Sequence, residues 1–270
     1  MAKREAIDEE EQLAEGTLVS HLVELRQRFI RALAAVVILF ICLIPFRGTI
    51  WGIIAGPLVD SLPEEATMIA TGPITPFFTP FMAVLYASVF LAMPVVLYQI
   101  WGFVAPGLYQ REKRFAVPLL VSSIILFYVG VAFAYFVVFG IVFTFMANLA
   151  SEYFEWLPEI KDYLSFVLRM SFVFGLAFEV PIATFMLIWS RLVSIRTLSK
   201  ARPYVFLGAF VVGMFLTPPD AISQTLLAVP MYVLYESGLI LSRIMLRDRL
   251  KEDTESEDTE DGEETTGDDD

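Results

Sequence analysis

Apolar residues run along this chain in long blocks interrupted by few charges, and the blocks are too long for the cores of ordinary soluble helices. A helix needs about 20 apolar residues to cross the ~30 Å hydrocarbon layer of a membrane. Arg31 and Arg47 bracket the first block, Ala32 to Phe46, which reaches span length with Phe29 and Ile30 while Arg31 snorkels. The next uncharged stretch, Ala66 to Gln110, exceeds one span. Pro73, Pro76 and Pro80 predict an irregular beginning, and a second helix from about Phe81 to Val104, kinked near Pro94. A third helix is predicted over about Val117 to Met146 and a fourth over Tyr163 to Ser190. Tyr204 to Leu216 is a fifth, short apolar run before the turn Thr217-Pro218-Pro219-Asp220, and about Ala221 to Leu241 is a sixth. At 1.5 Å per residue the fifth covers roughly 20 Å, short of a full crossing.

The positions of Lys and Arg orient this array. With an even number of spans, 16 of the 19 basic residues fall on the side of the two termini and of the loops near 105–115 and 191–203. Arg47, Lys161 and Arg169 are the remainder. Both termini are therefore expected in the cytoplasm.

Composition agrees on the class. Apolar residues make up 57% of the 270, and mean hydropathy is +0.65. The net charge of −12 is an exception of location: Lys251 to Asp270 holds 12 acids, while the residues before it hold 19 acids against 18 Lys and Arg. The expected organisation is a charged cytoplasmic head (1–16), a membrane domain (17–245) and a disordered acidic cytoplasmic tail (246–270). A single Cys42 and a single His21 exclude disulfide frameworks, CxxC pairs, zinc knuckles and HExxH metal sites. Nucleotide, dinucleotide and GxSxG signatures are also missing, so neither an enzyme nor a cofactor or metal is expected, nor a nucleic-acid partner. The acidic Met1 to Gly16 does not have the positive start of a cleaved signal peptide.

Three acids stand out against this apolar background. Leu18, Leu22, Leu25 and Phe29 form one helical face leading into the first span, with Glu24, Arg26, Gln27 and Arg28 largely off it. Such a helix is expected to lie in the cytoplasmic interface before entering the membrane. Glu24 can be a plain i,i+4 partner of Arg28. Glu112, in the basic loop Gln110 to Arg114, can be a solvated partner of Arg111 or Arg114. Alternatively, two carboxylates at a positive membrane face suit a ligand bearing guanidinium groups. Glu179 is close to the membrane midplane, where a charged carboxylate costs about 2.5–3.5 kcal/mol. Pro181 also deprives the Ala177 carbonyl of its helix donor. Glu179 is read either as a structural hydrogen-bonding group or as a contact for a polar partner helix or substrate.

The stretches His21 to Arg26 (HLVELR), Phe77 to Pro80 (FFTP), Tyr98 to Trp101 (YQIW), Phe178 to Pro181 (FEVP), Arg202 to Tyr204 (RPY) and Gly213 to Asp220 (GMFLTPPD) closely resemble the TatC family, the multispanning core of the twin-arginine protein translocase. The resemblance covers about Thr17 to Arg243. It implies an all-α integral membrane protein of six transmembrane helices forming a concave, glove-like wall, N-in and C-in, in the cell inner (cytoplasmic) membrane. It implies a receptor for paired-arginine signal peptides that, with TatA- and TatB-type single-span partners in a hetero-oligomer of multiple copies, moves folded proteins using the proton-motive force. In that reading Glu24 and Glu112 bind the arginines, with Arg26, Phe29 and Phe103 around them and Pro57 and Met68 in the first extracytoplasmic loop. Glu179 is the intramembrane polar contact, Met214 and Phe215 face a partner helix, and Asp220 and Gln224 form a sensitive patch. Phe29, where a smaller aliphatic is common, and the weakly basic Arg196 to Arg202 depart from the family pattern. A competing reading is a proton-coupled secondary transporter with Glu179 as the carrier, against which the two halves show no internal repeat.

Overall fold

The computed structural model describes residues 2–62, 67–108, 116–149, 157–216 and 221–246, and these are almost wholly helical. Ten α-helices follow in chain order: α1 Ala2–Leu43, α2 Arg47–Val59, α3 Thr75–Leu108, α4 Ala116–Phe133, α5 Phe139–Leu149, α6 Ile160–Ala177, α7 Val180–Trp189, α8 Ile195–Lys200, α9 Arg202–Leu216 and α10 Ala221–Met245. A tight 3-10 turn, Ile44–Phe46, links α1 to α2, and a wide π turn, Ala134–Val138, links α4 to α5. Five stretches are long and apolar enough to cross a membrane, Leu22–Val59, Thr75–Phe103, Val117–Asn148, Ile160–Trp189 and Leu227–Met245, while Arg202–Phe215 is apolar but shorter. Rows of exposed apolar side chains, such as Leu33, Val37 and Ile41 on α1 and Val117, Val121 and Ile125 on α4, are the surfaces that lipid would cover.

The amphipathic approach and the first span form one helix, with no break between Thr17 and Leu43. Several boundaries differ from those expected. The first apolar block does not end at Arg47: the chain re-enters a helix at once, and Pro57, placed by the sequence in a loop, lies inside α2. Packing explains the continuation. Ile50, Trp51 and Ile54 of α2 cover the buried group Ala83, Leu164 and Leu168, Tyr163 donates its hydroxyl to the Ile54 carbonyl at 2.6 Å, and Arg47 lies over the Phe81 ring. The proline-rich stretch is also helical earlier than expected, since α3 starts at Thr75 rather than Phe81. Pro76 is in the first turn, where a missing N–H costs nothing, and Thr79 returns a hydrogen bond to the Thr75 carbonyl at 2.7 Å. The expected polar loop after Trp189 contains α8, capped by Ser194, whose Oγ accepts from the Thr197 N–H at 3.2 Å.

Two compact units divide the described residues: those up to Ile125 together with Phe143–Leu168, and Leu126–Val142 together with those from Arg169 onward. In the first, α1 and α2 pack on α3, and outside the spans Ile69 pairs with Glu159 while Thr71 donates to the Glu159 carboxylate at 2.6 Å. In the second, α10 packs on both α7 and α9. Gly238 of α10 meets Pro181 and Thr184 of α7 so closely that a Cβ would fall 2.8 Å from the Pro181 Cα.

Candidate functional site

Glu24 lies on α1 with Arg28 one turn further on. Arg28 donates to Glu24 Oε1 from Nε at 2.9 Å and from Nη2 at 2.6 Å. Both side chains are partly buried, because α1 packs along α3. Gly102 of α3 stands directly beside the guanidinium, which would have to shift if residue 102 carried a side chain. Phe103, the next residue, is half-buried, while Arg26 and Phe29 are exposed. One turn earlier on the same face of α3, Gln99 is buried, and Trp101 donates from its indole N–H to Ser123 Oγ at 3.1 Å. The structure thus sets Arg28, the partner of Glu24, against Gly102 of α3, the residue before Phe103. Glu112 lies outside the described residues.

Pro57 and Met68 are half-buried in the first unit. The Pro57 carbonyl accepts from Ser61 Oγ at 2.8 Å, and Met68 precedes the Ile69–Glu159 pairing. A cavity of about 360 Å³ opens between the starts of α3 and α6, lined by Thr75, Phe78, Met82, Tyr86, Lys161 and Leu168 among others.

Glu179 occupies the break between α6 and α7. Pro181 cannot donate to the Ala177 carbonyl, and the chain answers with a turn at Phe178 and Glu179. There the Glu179 N–H bonds back to Leu176 at 3.0 Å, and the Ala183 N–H reaches the Glu179 carbonyl at 2.9 Å. The expected single fourth span is therefore two helices joined at the acid. The side chain is half-buried with Oε1 shut away from solvent, and Phe178 stacks with Phe133.

On α9, Met214 and Phe215 are exposed. Gln224 of α10 ties the two helices together: its Nε2 donates to the Phe210 carbonyl at 2.8 Å, and its side chain packs on Gly213. Asp220 lies outside the described residues. Sequence reasoning missed one cluster. Arg202, at the start of α9, forms a two-point ion pair with Glu236 of α10 (Nη2–Oε2 2.9 Å, Nε–Oε1 2.8 Å), and Tyr232 donates to Glu236 Oε1 at 2.9 Å. Two nearby bonds fasten α8 to α10: Tyr235 donates to the Leu198 carbonyl at 2.6 Å and Arg243 to Ser199 Oγ at 3.1 Å. The available signal was an acid in an apolar helix with Tyr at i−4, matched to the one Arg-Pro at a helix start.

Residues 20–230 match the family model described as Sec-independent protein translocase protein (TatC). The chain is 57% identical over 222 residues to a Sec-independent protein translocase protein TatC of Azotobacter chroococcum mcd 1, covering 82% of this chain and 87% of that protein. It is 51% identical over 226 residues to the protein of the same name in Escherichia coli (strain K12), covering 84% and 88%. A crystal structure described as the twin arginine translocase receptor TatC superposes with a TM-score of 0.73 at 36% identity, covering 83% of this chain and 98% of that one.

Proposed function

This chain belongs to the TatC family of Sec-independent protein translocase proteins, and from that premise we propose how its residues serve as the receptor and core subunit of a twin-arginine translocase. The substrates are folded precursors whose signal peptides carry two adjacent arginines. Glu24 and Glu112 accept hydrogen bonds from the two guanidinium groups, and Arg26, Phe29 and Phe103 line the approach. The observation that carries this reading is the setting of Glu24: a carboxylate held at the end of an apolar span, on the helix that packs along α3, with Oε1 engaged by Arg28. A carboxylate and a guanidinium match in shape as well as charge.

Pro57 and Met68 belong to the extracytoplasmic part of the signal-peptide path. Glu179 offers a polar contact at membrane depth to a TatA-type helix or to the signal peptide, and Met214 and Phe215, with Asp220 and Gln224 at the adjoining turn, form the docking strip for a TatB-type single-span protein. The assembly is a hetero-oligomer of several copies in the inner membrane, driven by the proton-motive force. Both termini face the cytoplasm, with residues 1–16 as head, 17–245 as membrane domain and 246–270 as acidic tail. A proton-coupled transporter built on Glu179 does not fit the family.

Crosslinking of a twin-arginine signal peptide to the full chain in membrane vesicles tests the arginine assignment. Glu24→Gln combined with Glu112→Gln is expected to abolish capture, because each lost charge-assisted hydrogen bond contributes roughly 1.5–3 kcal/mol. Capture at the wild-type level would show that the arginines bind elsewhere.

A further inference from the structure

Arg28 is given no contact with the signal peptide in the receptor reading, and the inference drawn from it rests on that reading. Two of its five N–H donors go to the same oxygen, Glu24 Oε1, at 2.9 and 2.6 Å. Arg28 is 21% exposed and Glu24 39% exposed, so the pair is more enclosed than an ordinary surface contact. Part of the enclosure comes from the other helix: the end of the guanidinium lies against the bare backbone of Gly102 on α3, where a Cβ would make it shift.

Two consequences follow for a cationic ligand. The charge of Glu24 is balanced inside the chain, so an arriving cation gains little Coulombic attraction from it. At the same time Oε2 receives no hydrogen bond from any described side chain, and a carboxylate oxygen offers two lone pairs. The position therefore presents an acceptor with almost no net charge. A guanidinium, weakly hydrated and carrying donors in a rigid plane, profits from a directional acceptor. An ammonium is compact and strongly hydrated and depends on charge to repay its desolvation.

We propose that Arg28 is a specificity-determining residue: by neutralising Glu24 at Oε1 while leaving Oε2 open, it makes the site select arginine over lysine in a paired basic motif. Without Arg28, Glu24 becomes a bare anion that rewards either cation.

The test compares capture of two synthetic signal peptides, identical except for Arg-Arg or Lys-Lys, by the full chain in membrane vesicles at low and high salt. In Arg28→Gln the preference for Arg-Arg is expected to narrow by roughly two- to fivefold, chiefly through stronger Lys-Lys capture. That gain should fade in high salt, where an exposed anion is screened. Arg28→Lys, which keeps the charge, should hold the preference. Retained Arg-Arg capture shows that the variant is folded. An unchanged ratio in Arg28→Gln, or equal scaling of both peptides, overturns the proposal alone. Failure of the wild-type chain to capture Arg-Arg, or full capture by Glu24→Gln, overturns the receptor reading and this inference with it.

Discussion

Arg202 and Glu236 are each other's condition for being where they are. A carboxylate within an apolar helix is expensive unless it is paired, and here Arg202 donates to one oxygen and lies 2.8 Å from the other, to which Tyr232 donates. Arg202→Ala is therefore expected to destabilise the purified protein by about 1–3 kcal/mol, read as a lower unfolding midpoint in detergent. Arg202→Ala with Glu236→Ala should cost less than the sum of the two single changes; strict additivity would mean that the pair does not couple α9 to α10. Individual residues were unevenly readable from the sequence. Glu24 and Glu179 stood out because acids near or within apolar blocks are few, and the loss of the Ala177 donor at Pro181 follows from covalent chemistry alone. Glu236 carried the same signal, but its partner is 34 positions away, and periodicity says nothing about pairs so far apart. Gly102 was silent for another reason: its value lies in the space it leaves for a side chain of a different helix.

At the scale of elements, the long apolar runs predicted α3, the α4–α5 stretch and α10 well, since hydrophobic length is a local property. The errors cluster where tertiary contacts decide. Arg47 reads as a terminus because a charge usually ends a span, yet it lies over Phe81 while α2 continues beyond it on α3. Pro76 and Pro80 read as breakers, yet Pro76 is in the first turn of α3, where a proline loses only a hydrogen bond that the helix does not make, and Pro80 lies further inside the same helix. The α7–α10 crossing depends on glycine in a way that residue counting does not show. Gly238→Val would drive a side chain into the backbone of Pro181 and should cost about 1–3 kcal/mol, seen in the same melts. Gly208→Val on α9 meets nothing within 4 Å and should leave the melt almost unchanged. Equal effects at the two positions would refute close packing at 238.

For the whole molecule, the bulk charge of −12 describes an appendage more than the membrane domain, because 12 acids belong to the last 20 residues. Removing the chain after Arg249 is expected to leave export unchanged at high salt; at low salt, a rise in export would identify the tail as a competitor for basic signal-peptide segments. No effect at either salt would leave it a solubilising spacer. A different global constraint comes from the five residues Ala134–Val138, where the helix widens to π geometry. Such a turn holds one residue more than its α-helical equivalent, and one residue is about 100° of rotation. Deleting the 78%-exposed Phe136 would therefore let the turn close to α geometry and leave α5 in its present rotation, with Phe139, Val142 and Phe143 still at buried positions. Along this stretch the protein carries a spare letter: it can lose one and still be read, like a genetic message, in the same frame.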